Sequence, residues 1–267
     1  MIDLHMHTSR CGHASGTPRE YLDAAVAAGV SVMCFTDHLP LPASTPRALE
    51  YAMPSEQLPA YISDIRRLAA RSAREGGPEV LLGIEADWIE GGDEEIRRVL
   101  GESGFDMVLG SVHFVDGWAF DDPDLTDRYG EWDITRLWDR YFATLSAAAA
   151  SGLFDVMAHP DLVKKFGYLP DVDPTPWYEQ TAEAFAAAGV AFEVNTAGLR
   201  KPCGELYPAP GFLRVAARRG IPVTCGSDAH APGEVGAGMG AARDALAEAG
   251  YRSVVVFRGR VPQEVPL

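Results

Sequence analysis

The chain alternates short apolar runs with longer Ala-rich amphipathic stretches, and this alternation is its strongest constraint on the fold. Strands are predicted at Ile2–His5, Val30–Phe35, Val80–Glu85, Met107–Ser111, Val156–Ala158, Ala191–Asn195, Ile221–Gly226 and Val254–Phe257. Helices are predicted between or after them at Pro18–Ala28, Ser55–Arg74, Asp93–Gly101, Ile134–Ser151, Pro176–Ala188, Gly211–Arg219 and Pro232–Ala249. Seven or eight strand–helix repeats favour a parallel α/β barrel over an open sheet.

The length of the chain and the lack of a linker in its sequence predict one domain. A chain of 267 residues can bury one large core, and no low-complexity linker or composition break divides it. We therefore expect a single domain over residues 1–267. The longest stretch without a predicted element, Phe114–Asp133, is expected to be a lid or substrate loop. The glycine-rich run 236–240 does not follow a strand, so we interpret it as a helical segment packed on the barrel.

Charge and composition limit the partners. The 38 acidic and 23 basic residues give a net charge of −15, which argues against nucleic acid, although metals in a cleft could reverse the sign locally. No apolar run approaches the roughly 18 residues that span a membrane. A strand at Ile2 leaves no room for a targeting peptide, and the cysteines form no CxxC pair. We expect a cytoplasmic protein with reduced thiols; the pattern indicates no oligomeric state.

All seven histidines lie in short polar motifs, most of them at predicted strand ends. The motifs are Asp3-Leu4-His5-Met6-His7-Thr8, Cys11-Gly12-His13, Thr36-Asp37-His38, Gly110-Ser111-Val112-His113, His159-Pro160-Asp161 and Gly226-Ser227-Asp228-Ala229-His230. Neutral imidazole is a common ligand for zinc, iron and similar ions. This distribution is typical of a metal cluster assembled from several loops.

The spacing within the motifs supports convergence. His5 and His7, two residues apart, point to one face of a strand, and Asp228 and His230 repeat that spacing. Glu85 ends an apolar run, where a carboxylate is costly without a positive partner. The carboxyl ends of barrel strands meet at one rim. The candidate ligands are His5, His7, His13, His38, Glu85, His113, His159, Asp228 and His230, which suit two or three metal ions better than one.

Each motif also has an ordinary structural explanation. A single HxH is a weak signal, Asp228 could cap a helix, and His13 could be a turn residue. Glu85 could pair with an arginine. The coincidence of ligand-type residues at six separate strand ends favours the metal site over these alternatives.

The order of the motifs resembles a known family. HxH, a further His, Thr-Asp-His, a Glu after a strand, Ser-x-His, His-Pro-Asp and Ser-Asp-x-His follow one another between residues 3 and 230. This order resembles the PHP (polymerase and histidinol phosphatase) family. The stretches NTAGLRKP at 195–202, YPAP at 207–210 and DLVKKFG at 161–167 resemble its histidinol-phosphate phosphatase branch.

The resemblance implies a distorted TIM-like (β/α)7 barrel that holds three divalent metal ions, which could be zinc, iron or manganese. By position, the first ion would be held by His5, His7, Glu85 and Asp228. Glu85 would bridge to a second ion that is completed by His113 and His159. The third would be held by His13, His38 and His230. The implied activity is hydrolysis of L-histidinol phosphate to histidinol and phosphate in histidine biosynthesis.

Phosphomonoester hydrolysis also fits the chemistry of such a cluster. A hydroxide bridging the first two ions would attack phosphorus, because bound metals lower the pKa of water. Arg200 could clamp the phosphate, Lys165 is a candidate second phosphate contact, and Phe114 is a candidate substrate contact. Asp37 or Asp161 could protonate the leaving alkoxide; the alternative is that both orient histidines.

Within the loop at 114–133, four acidic residues could attract the cationic amino-imidazole end of the substrate or merely solvate the loop: Asp116, Asp121, Asp122 and Asp124. Three other functions remain open at this point. They are a phosphodiesterase or exonuclease of the same family, an amidohydrolase, and a metal-bound barrel without catalysis. The acidic charge disfavours the nuclease, and Lys164 and Lys165 are poorly placed to be the bridging carboxylated lysine of an amidohydrolase.

Overall fold

Seven parallel strands form the centre of the part of the chain that the computed structural model describes, residues 1–42 and 44–267. In their order around the sheet they are β1 (Ile2–Asp3), β2 (Val32–Phe35), β3 (Glu79–Asp87), β4 (Met107–Ser111), β7 (Val156–Met157), β8 (Ala191–Asn195) and β9 (Val223–Gly226). The sheet closes where Leu4 N donates to Cys225 O at 3.0 Å and His7 N donates to Ala229 O at 2.9 Å. The predicted distorted (β/α)7 barrel is confirmed.

Helices surround the barrel where the periodicity predicts them. They are α1 (Pro18–Ala28), α2 (Ala48–Tyr51), α3 (Leu58–Glu75), α4 (Asp93–Ser103), α5 (Ile134–Ala150), α6 (Thr175–Ala188), α7 (Pro210–Arg218) and α8 (Met239–Ala249). Thr17 illustrates the local cause, since its side chain and that of Glu20 form a reciprocal capping box at the start of α1. The short helix α2 and several 3-10 turns lie in the loops at the rim.

The last predicted strand, Val254–Phe257, is not a barrel strand. It lies in β10 (Ser253–Arg258), which pairs antiparallel with β11 (Val261–Pro266). The buried side chains of Val255, Val256 and Phe257 pack against the apolar barrel interior. Arg258 binds Glu79 at the start of β3, with Nε 2.7 Å from Oε1. The hairpin therefore closes the end of the barrel where the strands begin.

Two further sequence expectations need correction. The segment Phe114–Asp133 contains a hairpin of β5 (Phe114–Val115) and β6 (Trp118–Ala119), followed by a 3-10 helix at Pro123–Glu131. The last helix begins at Met239 instead of Pro232, because Gly236 and Gly238 have φ angles of 73° and 75° that a right-handed helix excludes. Among the described residues, no helix combines the length and apolar character needed to cross a membrane.

Candidate metal centre

Glu85 lies at the centre of the predicted ligand set, on β3, with 1% of its surface exposed. Its Oε1 lies 3.0 Å from His159 Nε2 and 3.7 Å from His113 Nε2. Its Oε2 lies 3.2 Å from His5 Nε2 and 3.4 Å from His7 Nε2. His38 Nδ1 also lies 3.4 Å from Oε2, so this carboxylate contacts the ends of four other barrel strands, because parallel strands end at the same rim.

Asp228 forms the second acidic contact of this cluster. Its Oδ1 lies 3.2 Å from His7 Nε2 and 3.6 Å from His5 Nε2, while those two imidazole nitrogens are 3.1 Å apart. His230 Nδ1 lies 3.4 Å from the same oxygen. Asp228 adopts a φ of 53°, a left-handed conformation that turns the chain directly after β9. The turn brings both Asp228 and His230 to the cluster.

The remaining histidines line another side of the cluster. The His13 and His230 rings stack with centroids 4.9 Å apart, and the His38 ring stacks on His7 at 4.6 Å. The candidate ligand atoms of His7, His38 and His230 lie within 4.8 Å of one another. Those of Cys11, His13 and His230 form a similar group. All nine predicted ligands are therefore brought into one continuous cluster, with Cys11 beside it.

The donor set fits divalent cations. Buried polar atoms are normally hydrogen-bonded, yet His38 Nδ1, which lies 3.4 Å from Glu85 Oε2, has no hydrogen-bond partner among the described residues. The close approach of the His5 and His7 nitrogens places two imidazole lone pairs near the same point. A cation shared among His5 Nε2, His7 Nε2 and the carboxylates of Glu85 and Asp228 would be held by the imidazole and carboxylate groups that bind zinc, iron or manganese.

Charge in the cluster is strongly coupled. Burial lowers the pKa of His7, but the hydrogen bond to Asp228 contributes to raising it to about 10. Burial raises the pKa of Glu85, but the neighbouring His38 and His5 hold it well below its usual range. The Glu85 carboxylate therefore stays anionic, and a metal ion would have to replace the proton that His7 holds among these carboxylates.

Asp37 lies directly behind His7. It is fully buried, accepts a hydrogen bond from Thr8 N at 2.8 Å and a second from the Thr8 hydroxyl, and has Oδ1 3.9 Å from His7 Nδ1. Burial raises its pKa to about 7. Its contacts favour the alternative in which Asp37 orients a histidine.

Asp161 has its carboxylate directed to a different loop. Oδ2 accepts a hydrogen bond from Ala209 N at 2.7 Å and lies 3.1 Å from Lys164 Nζ. Burial raises the pKa of Asp161 to about 6. Among the described residues that border the cavity over the cluster, Asp161 is absent. This placement also favours a positioning role over direct proton donation.

A cavity of about 770 Å³ opens above the cluster and is bordered by the three predicted substrate contacts. Arg200 lies at its edge after β8. Lys165 Nζ donates to Asp121 O at 2.7 Å and lies 3.1 Å from Asp121 Oδ2. The Phe114 ring packs edge-on against Tyr51, with centroids 6.1 Å apart. The cavity thus combines cationic side chains with an aromatic wall.

The acidic residues of the 114–133 segment are largely paired. Asp116 binds Arg140 at 2.6 Å and does not border the described cavity, because the hairpin turn directs it outward. Asp122 and Asp124 border the cavity but lie 2.6 and 3.3 Å from Arg47. The possibility that all four residues attract a substrate cation does not hold for Asp116, whereas Asp121, Asp122 and Asp124 border the cavity.

Sequence reasoning missed two acidic residues whose carboxylates contact the imidazole rings of predicted ligands. Asp87 Oδ1 lies 2.7 Å from His113 Nδ1, and Glu193 Oε1 lies 2.8 Å from His5 Nδ1. Asp87 follows Glu85 by two residues on β3, so the alternation of strand side chains could have identified it. Glu193 lies within an apolar strand and carried a weaker signal.

Comparison with known proteins shows the family of the chain. The model of the PHP domain matches residues 3–197, and that of a PHP-associated region matches residues 213–245. The chain belongs to the PHP family. A probable histidinol-phosphatase from Deinococcus radiodurans is 46% identical over 98% of both chains. The histidinol-phosphatase of Bacillus subtilis is 30% identical over 88% of this chain and 95% of its own. Within the PHP family, this chain falls in the histidinol-phosphatase branch.

A phosphatase of known structure shares the fold. The histidinol phosphate phosphatase of Lactococcus lactis, crystallised with zinc, L-histidinol and phosphate, superposes with a TM-score of 0.83. The two chains are 22% identical, and the superposition covers 98% of each. At this identity the likeness establishes the shared barrel.

Proposed function

We propose that the protein hydrolyses L-histidinol phosphate to L-histidinol and inorganic phosphate, as a step of histidine biosynthesis. The observation that carries the proposal is the convergence of nine ligand-type side chains beneath a cavity that Arg200 and Lys165 border. The relatives named histidinol-phosphatase, one of them 46% identical, support this choice of substrate.

The proposal includes three divalent ions. The first would be held by His5, His7, Glu85 and Asp228, the second by Glu85, His113 and His159, and the third by His13, His38 and His230. Such ions neutralise phosphoryl oxygens and lower the pKa of water from 15.7 towards about 7, which supplies a hydroxide nucleophile. The close approach of His5 Nε2 and His7 Nε2, which are 3.1 Å apart and both lie next to Glu85 Oε2, supports this ligand set.

The protein side chains around the ions orient the substrate. Arg200 would donate two parallel hydrogen bonds to the phosphate, as a planar guanidinium does best. Lys165 would leave Asp121 to bind a phosphate oxygen, and Phe114 would pack against the imidazole. Asp37 would hold His7 in place. The carboxylates of the hairpin segment that border the cavity would attract the cationic end of the substrate.

The alternative substrate of a PHP enzyme, a nucleic-acid phosphodiester, fits less well. The net charge of −15 opposes a polyanion, and the proposed phosphate contacts suit the extra charge of a monoester. We further propose that the enzyme acts in the cytoplasm on a small molecule, without a nucleic-acid or membrane partner.

Ligand substitutions test the proposal. His5→Ala and Asp228→Ala should each abolish histidinol phosphate turnover and lower the bound metal, measured by elemental analysis of the purified protein. Asp116→Ala is the matched control, because its carboxylate pairs with Arg140 outside the cavity and should leave both quantities unchanged. Wild-type activity and metal content in either ligand variant would contradict the proposed centre.

A further inference from the structure

Strand β8 lies between β7 and β9 in the barrel. Predicted ligands follow both of these neighbours, but β8 provides none of the nine. It carries two polar side chains on the same face, Glu193 and Asn195, which are 1% and 0% exposed. Buried polar groups on a barrel strand are costly unless they are fully hydrogen-bonded. The hydrogen-bond partners of Glu193 and Asn195 therefore indicate the role of these two side chains.

Glu193 contacts two predicted ligands that the proposal assigns to different ions. Its Oε1 lies 2.8 Å from His5 Nδ1, and its Oε2 accepts a hydrogen bond from the backbone N–H of His159 at 3.0 Å. The carboxylate thus connects the end of β1 with the end of β7 across the barrel.

Asn195 extends this connection to the second acidic ligand. Its Nδ2 donates to Glu193 Oε2 at 3.0 Å and to Asp228 Oδ2 at 3.2 Å. Its Oδ1 accepts a hydrogen bond from Ala197 N at 2.8 Å, which fixes the orientation of the amide. Together the two residues contact His5, His159 and Asp228.

The neighbouring strand leaves space for this arrangement. A Cβ at Gly226 on β9 would lie 2.2 Å from Glu193 Oε1 and 2.3 Å from His5 Cβ. No side chain larger than glycine fits there while the contact between Glu193 and His5 is kept. The close contact between Glu193 and His5 therefore depends on β8, on Gly226 of β9 and on the end of β1.

We propose that Glu193, held by Asn195, is a positioning residue of the metal centre. By accepting a hydrogen bond from His5 Nδ1–H, it keeps the proton on Nδ1 and leaves the Nε2 lone pair free to face the metal, and through the His159 amide it also fixes the second site. This inference rests on the proposed metal centre but not on the identity of the substrate, because it concerns metal binding alone.

Metal affinity tests the inference directly. An amide at position 193 cannot accept from both His5 and the His159 N–H while it faces the Asn195 amide, so Glu193→Gln should weaken Zn²⁺ binding about 10- to 100-fold. The dissociation constant is measured by competition with a chromophoric chelator, without any phosphate ester. Activity should return towards wild type when Zn²⁺ is in excess, which a purely structural defect would not allow.

Thr224→Val is the matched control. Thr224 lies beside Glu193 in the register of β8 and β9, is 1% exposed, and has a hydroxyl without a hydrogen-bond partner. Its replacement should leave Zn²⁺ affinity unchanged. Equal Zn²⁺ affinity in wild type and Glu193→Gln, or equal losses in Glu193→Gln and Thr224→Val, would overturn the inference.

A measurement on the wild-type protein keeps the inference testable if the variant does not fold. In a ¹⁵N-histidine NMR spectrum of the zinc-loaded protein, His5 should carry its proton on Nδ1. The same signal should show Nε2 bound to metal. A His5 tautomer protonated on Nε2 would overturn the inference, whatever the activity of the enzyme on histidinol phosphate.

Discussion

At the scale of single residues, Arg200 lies between the cavity and the candidate metal ligand Asp228. Its Nη2 donates to the carbonyl oxygens of Ser227 and Asp228 at 2.9 and 3.3 Å, and its Nε lies 3.3 Å from Glu234 Oε1. The side chain is 26% exposed and borders the cavity. The guanidinium is thus held at the cavity edge next to a predicted ligand.

Substitution of Arg200 should weaken phosphate binding without changing metal binding. Arg200→Ala should lower kcat/KM for histidinol phosphate about a hundredfold, equivalent to about 2.7 kcal/mol, because a clamp on the transferred oxygens is strongest in the transition state. Arg200→Lys should recover only part of the loss, since a point charge does not reproduce the planar fork. Steady-state kinetics and metal analysis provide the measurement; loss of metal or unfolding would mean that Arg200 is structural.

The sequence predicted the candidate metal ligands, but it did not predict the carboxylates that contact them. Nine ligand candidates followed from strand ends and two-residue spacing, and the structure brings them together. The contact between Asp87 and His113 depends on the register of β3 and β4, and that between Glu193 and His5 depends on closure of the barrel. Neither the strand register nor the closure of the barrel can be read from a single sequence. The sequence therefore could not show which histidines Asp87 and Glu193 contact.

At the scale of elements, the 3-10 turn Leu162–Lys164 directs two adjacent lysines to different places. Lys164 is 2% exposed and binds Asp161 at 3.1 Å and the Leu206 carbonyl at 2.8 Å. Lys165 is 14% exposed and reaches Asp121 at the cavity. Lys164 therefore joins two loops, while Lys165 is available to a substrate.

The two lysines should respond differently to the same substitution. Lys164→Met should lower the free energy of unfolding by about 3 kcal/mol, because it leaves the Asp161 carboxylate buried without its cationic partner. Lys165→Met should cost about 1 kcal/mol or less but raise KM for histidinol phosphate. Urea unfolding and steady-state kinetics distinguish them, and equal destabilisation by both changes would refute the assignment.

Element boundaries show where sequence reasoning succeeded and where it stopped. Strands β4 and β8 and helix α1 have the predicted bounds, because apolar runs and caps define them. The β5–β6 hairpin was missed although its Asp116-Gly117 turn, with φ angles of 50° and 76°, is a strong hairpin signal. The two strands of this hairpin have only two residues each, which is too short for an alternating pattern of apolar and polar residues to be recognised.

At the scale of the whole molecule, the barrel is closed at one end by the β10–β11 hairpin and carries the cluster at the other. The strand–helix alternation predicted the barrel, but it could not tell the hairpin from an eighth barrel strand. Phe257, 5% exposed, packs with Val255 and Val256 against the barrel interior. The hairpin thus shares the core of the barrel.

This shared core predicts that residues 1–267 unfold as one domain. Phe257→Ala should lower the free energy of unfolding by about 3 kcal/mol through loss of buried surface and a residual cavity. Calorimetry should still show one cooperative transition at a lower midpoint. Two separate transitions, with the hairpin melting first, would contradict the single domain.

The metal-loaded protein should be a phosphomonoesterase that is selective for histidinol phosphate. The most direct measurement compares kcat/KM for histidinol phosphate, p-nitrophenyl phosphate, bis-p-nitrophenyl phosphate and single-stranded DNA at one metal concentration. We predict a value for histidinol phosphate at least about a hundredfold above p-nitrophenyl phosphate, or about 2.7 kcal/mol of differential transition-state binding, with both diesters near background. Comparable rates on monoester and diester would contradict the account and favour a nuclease of the PHP family.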